Sequence, residues 1–434
     1  MNARGALSVA ILGSGPAGSS LAILLARQGA EVTLFDDGGR PALLVGESLV
    51  PAVIPILMRL GVEQDTASVG LLKPGVSFVW SAADRFAFDF ARFAPAVPPY
   101  AYNIPRPRFD ELLMAKAVSA GAHRVAARAQ LERALANSNG AELVLTPDTI
   151  DAAPSLQGRQ PDLIVDATGR ARRAARALHV PGRVGPRDDI AHFAHFEGFQ
   201  WEDVPGQVLI ARLQAGWSWR IPLKDRLSVG IVLGRKDAAL LGRTPEERLE
   251  HAIARDPWLS QSVGRATRVT SVASYSNYQL ISTRACGPGW VMVGDAFGFI
   301  DPMLSPGVFL ALCSAELVAD ALTPFARGRV IPAPAALSSA LAAYAAGHAQ
   351  TLAAWLELVE YLYDGRMLAL LRAGHDWVQE RSSVLTSTLR KHIERHVALQ
   401  ASGIGTTARY SRALLRLLGR HGLRGVHAAD FAIR

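Results

Sequence analysis

Gly13, Gly15 and Gly18 stand in the run Gly-Ser-Gly-Pro-Ala-Gly, directly after the apolar stretch 8–12 and at the head of a helix-patterned stretch, 16–28. Glycines at that spacing allow a tight turn and let backbone N–H groups approach an anion. The N-terminus of the following helix favours a pyrophosphate there, with Pro16 and Ala17 completing the turn. Asp36 ends a second apolar stretch, 31–36, where a carboxylate can accept hydrogen bonds from a ribose. In this order the elements make a βαβ nucleotide-binding unit. The pattern alone leaves nicotinamide and flavin dinucleotides both open.

Other elements must position this unit. Residues 162–166 (DLIVD) are apolar without alternation, as buried parallel strands are, and helical patterns cover 50–60 and 108–120. From about 190 to 282 closely spaced runs (207–213, 216–223, 226–233) predict antiparallel strands, with one helix near 245–263. A strand at 290–294 leads into a helix from Gly307 to about Leu322. Beyond 331 the Ala- and Leu-rich chain predicts helices only, after an Ala/Pro linker near 326–336. The expected fold class is α/β. A Rossmann-type FAD-binding domain (1–185 and 284–330, with 72–100 on the substrate side) carries an antiparallel-sheet substrate domain, 186–283, and a helical C-terminal region, 331–434.

Composition excludes several classes. Half of the 434 residues are hydrophobic and 19% are charged, which fits a folded enzyme rather than a disordered chain. No uncharged apolar run reaches the roughly 18 residues of a transmembrane segment. The first apolar run leads into a glycine turn rather than a cleavage site, so a cytoplasmic location is expected. Cys286 and Cys313 form no CxxC pair, so no metal is expected. The net charge of +8 favours anionic ligands or acidic partners; nucleic acid is not among those expected.

Later motifs decide between the dinucleotides. Gly-Asp-Ala-Phe-Gly at 294–298 resembles the second FAD motif of para-hydroxybenzoate hydroxylase-like flavoproteins, and Asp166-Ala167-Thr168-Gly169 resembles their third signature. The resemblance implies that Asp295 holds the ribityl–phosphate arm, that Arg106 lies near the dinucleotide, and that Pro302 and Gly307 border the flavin. Within that superfamily three features resemble the flavin-dependent halogenases of phenol and pyrrole type. Trp217-Ser218-Trp219-Arg220-Ile221-Pro222 matches their WxWxIP motif. On a strand Trp217 and Trp219 face one side and form a wall, which in the family separates substrate from flavin, with Ile221 and Pro222 beside it. Lys73, before Gly75 and Phe78, resembles the family's active-site lysine, and 46–51 (GESLVP) resembles its flavin-contacting GES segment, with Glu47 and Ser48 as contacts. Phe299, Pro302, Ser305 and Gly307 fit the Phe-x-x-Pro-x-x-Ser-x-Gly pattern that lines the route from flavin to lysine.

The resemblance implies FAD as cofactor, reduced by a separate flavin reductase, and chloride or bromide as co-substrate. Halide is expected at the backbone of Ser305, Pro306 and Gly307, and hypohalous acid is expected to pass to Lys73. Burial would lower the pKa of Lys73 and free its amine. Leu304 stands where tryptophan halogenases carry a glutamate, which directs the expectation to electron-rich phenols or pyrroles, free or on an acyl or peptidyl carrier protein. A hydroxylase of the same fold, a prenyl-chain reductase and a non-catalytic flavin binder are the alternatives. Tyr344, Trp355, Tyr361, Tyr363 and Trp377 form an aromatic stripe at helical spacing, either core packing or part of a cover over the substrate pocket, which 357–365 resembles. Arg409, Arg412, Arg416, Arg420 and Arg424 lie on or just beyond a basic amphipathic helix. It reads as a dock for a carrier protein or membrane surface, or as a solvated helix on the core.

Overall fold

The computed structural model describes residues 6–433 apart from 82–83, 135–139, 202, 277–278, 327–332, 381–383 and 424; nothing is said of the side chains of 377–387. Most of the Ala/Pro linker, Arg424 and the Trp377 side chain therefore lie outside the described residues.

The strand Ser8–Leu12 is apolar throughout and buried throughout, because it lies mid-sheet between two parallel neighbours. The sheet has six strands, in the spatial order Cys286–Gly287, Trp290–Met292, Leu163–Asp166, Ser8–Leu12, Glu31–Phe35 and His123–Val125, parallel except at the first pair. The crossover helix Pro16–Gln28 packs against the helix Gly307–Ala326. Among the described residues Gly307–Ala326 is the one helix long and apolar enough to cross a membrane. Its apolar side chains, Phe309, Leu312, Val318 and Leu322 among them, are spent on the core.

The second sheet has eight strands. Asp189–Glu197, Val208–Arg212, Trp217–Pro222 and Leu227–Gly234 form its centre, and Gly75–Val79 and Arg85–Asp89 extend it. Its ladder is antiparallel except where Val208–Arg212 runs parallel to Gly75–Val79. The single helix expected near 245–263 is two, Pro245–Arg255 and Pro257–Val263. Asp256 adopts an extended conformation and its carboxylate caps the second helix through the Leu259 N–H, and Pro257 favours that break.

The C-terminal region is helical: Pro334–Tyr363, Arg366–Glu380, Val384–Ala401 and Arg409–His421. The chain then returns to the second sheet, where the Trp80 indole N–H donates to the Phe431 carbonyl at 2.7 Å.

Candidate active site

The glycine turn is shaped by contact rather than by composition. Gly13 has φ +100°, and a side chain there would meet the Ala167 carbonyl oxygen at 2.6 Å. A Cβ on Gly18 would lie 1.9 Å from the Gly13 oxygen, so the helix can approach its strand only with glycine at that place. Gly15 faces open space, and as N-cap it has no side-chain hydrogen bond; the first turn carries no acidic residue. The N–H groups at this helix start thus open into a cleft of about 440 Å³. Such a helix start favours a phosphate.

Asp36 lines the same cleft. Its carboxylate accepts the Ser14 hydroxyl at 2.8 Å and the Arg124 guanidinium at 3.0 and 2.7 Å. Burial pushes its pKa up, but these two partners and Arg40 outweigh that and hold it below the usual range. Arg106 reaches in from the first turn of the helix Arg106–Ser119, bonding the Val45 carbonyl at 2.6 Å and Asp110 at 3.1 Å. A Cβ on Gly46 would strike this guanidinium at 2.7 Å. Burial opposes the charge of Arg106, but Asp110 and Asp295 raise its pKa. Asp295 lies across the cleft; burial drives its pKa up to about 6 against the pull of Arg106 and Arg170. Asp166, buried at its strand end, bonds the Thr168 hydroxyl at 2.6 Å and the Ala174 N–H at 2.7 Å, and so closes the neighbouring turn. Helix-start N–H groups, a carboxylate and flanking arginines around one cleft fit FAD.

At the far end the cleft meets Trp217, Trp219 and Ile221, side by side on their strand as the alternation requires. The indole centroids lie 5.8 Å apart at 48°, and Phe193 packs 5.6 Å from Trp219. A Cβ on Gly230, the cross-strand partner of Trp219, would enter the indole at 2.1 Å. Pro222 ends the strand opposite Leu227 and does not line the cleft.

A second, apolar chamber of about 50 Å³ adjoins the cleft, and Val208, Ile210 and Ser305 line both. Lys73 enters it from a short strand, Leu71–Lys73, only 4% exposed. Its Nζ donates to the Ser48 hydroxyl at 2.8 Å and the Leu49 carbonyl at 2.9 Å, with the Phe90 ring centroid at 5.6 Å. Burial lowers its pKa to about 7. Glu47 and Ser48 border the FAD cleft, but their side chains are engaged inward, Ser48 by Lys73 and Glu47 by the His195 Nε2 at 2.9 Å. His195 sits on Asp189–Glu197 and was not singled out in the sequence, because an alternating strand histidine carries no motif.

The loop between cleft and chamber corrects one expectation. Of the three residues assigned to halide, Ser305 spends its N–H on the Pro302 carbonyl at 3.0 Å and Pro306 has none. The donors left are the first N–H groups of the helix, at Gly307 and its neighbour Val308, both lining the cleft with Phe299 and Pro302. Leu304 (φ 65°) and Ser305 (φ 59°) are consecutive non-glycine residues in the left-handed region. That conformation costs ~1–2 kcal/mol per residue and marks a loop held by its surroundings. Asp301, fully buried, accepts the Met303 N–H at 2.9 Å, and burial lifts its pKa to about 7.

The aromatic stripe divides. Tyr344 donates to the Met292 carbonyl at 2.6 Å, Trp355 packs 6.2 Å from Phe309, and Tyr361 donates to the Leu415 carbonyl at 3.0 Å. These hold the helices on the core. Tyr363, by contrast, donates to Asp301 in the loop before Leu304, and Leu362, Met367, Leu371 and Val397 from three C-terminal helices wall the Lys73 chamber. Arg412 and Arg416 of the basic helix pair with Glu357, so one of its charged faces is turned to the core; Arg409 and Arg420 are exposed.

Residues 6–332 match the family described as FAD binding domain. Tryptophan 2-halogenase from Chondromyces crocatus is 30% identical over 74% of this chain; the match spans 62% of that protein, under two thirds of its length. The 1H-pyrrole-2-carbonyl-[peptidyl-carrier protein] brominase of Pseudoalteromonas luteoviolacea is 28% identical over 72% of this chain and 76% of its own. Among solved structures the flavin-dependent brominase Bmp2 superposes with TM-score 0.74 at 21% identity, covering 96% of this chain and 99% of that one. A flavoprotein/dehydrogenase from Cytophaga hutchinsonii superposes at 0.76 with 20% identity over 96% and 100%, so the fold is shared beyond halogenases. With the glycine turn, the acid and the flanking arginines all inside the matched segment, the chain belongs to the FAD-binding domain family, alongside curated relatives that are flavin-dependent halogenases.

Proposed function

We propose that the chain is a flavin-dependent halogenase that installs chloride or bromide on an electron-rich ring of phenol or pyrrole type. One observation carries this reading: a buried lysine in an apolar chamber that shares walls with the FAD cleft but stands apart from it. A hydroxylase has no need of a second chamber, since its substrate meets the flavin directly.

Reduced FAD, supplied by a separate reductase, provides two electrons that, with oxygen, turn halide and a proton into hypohalous acid and water. Everything else falls to the protein. The helix start at Gly307 and Val308 receives the halide. Trp217 and Trp219 stop the aromatic substrate from reaching the cleft. Val208, Ile210 and Ser305 line the passage, and the apolar chamber excludes water that would dilute the acid. Lys73, with a pKa near 7, has two equivalent ways to act. As ammonium it hydrogen-bonds the acid and orients its halogen; as amine it takes the halogen and releases water. Leu304 lines the chamber where an acid would assist an unactivated ring, so the substrate supplies its own electron density. It enters from a larger cleft of about 860 Å³ that meets the chamber at Phe88, Phe93 and Leu371. A carrier-bound ring is the favoured form, because the basic helix that carries the exposed Arg409 and Arg420 borders this cleft through Leu417, Leu418 and His421 and suits an acidic carrier surface.

Purified protein with FAD, a flavin reductase, NADH, oxygen and bromide tests the reading. A phenol, a pyrrole and pyrrolyl-loaded carrier proteins are offered, and products are weighed by mass spectrometry. The expected product bears the bromine isotope pattern and vanishes without bromide. A product one oxygen heavier, indifferent to bromide, would replace the halogenase with a hydroxylase.

A further inference from the structure

The strained turn at Leu304 and Ser305 needs a clamp, and the structure shows one. Asp301 holds the loop from within, through the Met303 N–H at 2.9 Å. Among the described residues one side chain donates to Asp301: the Tyr363 hydroxyl, 3.1 and 3.3 Å from its two oxygens. That hydroxyl in turn accepts the Trp217 indole N–H at 2.9 Å. The ring is pinned by the Arg187 guanidinium, 3.6 Å from its centroid, which is itself bonded to Asp189 at 2.5 Å. Tyr363, Trp217 and Asp301 are all buried, so solvent offers no substitute partner.

Position gives this cluster its meaning. Tyr363 is the last residue of the helix Pro334–Tyr363, and its neighbour Leu362 walls the Lys73 chamber. Its backbone carbonyl accepts the Ile433 N–H at 2.9 Å, tying in the end of the chain. Asp301 lies three residues before Leu304, which faces the chamber, and four before Ser305, which faces both spaces. One hydroxyl thus joins the tryptophan wall, the C-terminal helices and the loop beside the halide donors.

We propose that Tyr363 is a positioning residue for halide. Its hydroxyl fixes Asp301, Asp301 fixes the left-handed turn, and the turn sets the Gly307 and Val308 N–H groups, so halide is well received only when the helical region is seated. This rests on the halogenase reading.

The test is Tyr363→Phe, which removes the hydroxyl and keeps the ring under Arg187. The bromide concentration for half-maximal bromination is expected to rise about tenfold, with FAD affinity and half-saturation by the aromatic substrate within twofold of wild type. Bromide affinity is also read without turnover, from the bromide-dependent rise in melting temperature of the oxidised, FAD-loaded protein at constant ionic strength; that rise should weaken in parallel. If Tyr363 acts through Asp301, Tyr363→Phe adds less than twofold in an Asp301→Ala background. Asp301→Asn, which can still accept both hydrogen bonds, should lose far less than Asp301→Ala. Unchanged bromide dependence, equal losses for all ligands, or additive effects in the double variant would each overturn the proposal. A wild type that binds bromide through this loop yet brominates nothing would leave the proposal standing and sink the halogenase reading instead.

Discussion

The FAD cleft is made of backbone and charge, while the Lys73 chamber beside it is made of apolar side chains. Glycines, helix N–H groups, Asp36 and Arg106 form the first, gathered at the C-terminal ends of the parallel strands of the six-stranded sheet. The second draws Val50 and Lys73 from the N-terminal third, Val208 and Ile210 from the central sheet, and Leu362, Leu371 and Val397 from helices near the C-terminus. A dinucleotide with fixed charges can be recognised by a local motif. The oxidant of the proposed reaction, reactive and nearly neutral, would have to be enclosed, and enclosure takes walls from the whole chain. The two spaces share Val208, Ile210 and Ser305, and on the proposed reading control at that boundary is what separates a halogenase from a hydroxylase.

Lys73→Met is the sharpest way to separate them. Halogenated product should fall by at least ~100-fold, the scale on which a positioned acid or base contributes, while FAD affinity and NADH-driven oxygen consumption stay within twofold. Loss of FAD binding would mean that the chamber and cleft are one site. The same variant tests the buried amine. Lys73 titrates near 7 when folded and near 10.5 when unfolded, so between those values the unfolded chain binds the extra proton. Wild-type stability relative to Lys73→Met should therefore be lowest at or below pH 7 and grow as pH rises toward 10, by on the order of a few kcal/mol. Urea unfolding of both proteins at pH 6.5, 8 and 9.5 reads this; a gap that stays flat with pH would mean that the lysine remains solvated and charged.

The same contrast governs what was legible in the sequence. The glycine turn and Asp36 were readable from a local pattern with a local cause, while the Trp-x-Trp strand and the loop through Ser305 were read through a resemblance to a family's motifs. The chamber was legible only at Lys73, and through a resemblance. Val397 and Leu371 sit in ordinary amphipathic helices, and nothing local shows that those faces meet Lys73. Gly230 reads as a weak point in a strand until the Trp219 ring is seen lying where its side chain would be. Tyr363 was one of five aromatic residues at helical spacing, and only its bond to Asp301 sets it apart from Tyr344 and Tyr361. The assignment of halide to Ser305 and Pro306 failed for a chemical reason. One N–H is internally bonded and the other does not exist.

A smaller effect probes the cleft. Arg106→Lys keeps the charge but loses the fork that spans the Val45 carbonyl and Asp110. FAD affinity should drop about tenfold, roughly the 1.4 kcal/mol of one compromised charged hydrogen bond. Titration of the apoprotein, followed by flavin fluorescence, measures it. No change would place the dinucleotide clear of this arginine, and a loss of turnover with FAD affinity intact would move Arg106 from binding to catalysis.

The smallest effect lies at the boundary itself. Glycine takes the left-handed conformation of Ser305 without the Cβ penalty, but it also gives the unfolded chain more freedom, and the two terms nearly offset. Ser305→Gly should thus change stability by less than ~1 kcal/mol, with a net gain favoured because the steric term is the larger. Activity should move the other way. A turn that no longer strains against its clamp is free to relax, and the bromide requirement should rise a few-fold while the melting temperature holds or climbs. Stability and halide affinity falling together would instead show that the serine side chain is part of the wall, and that the strain at 304–305 is a by-product of packing rather than the means by which the loop is set.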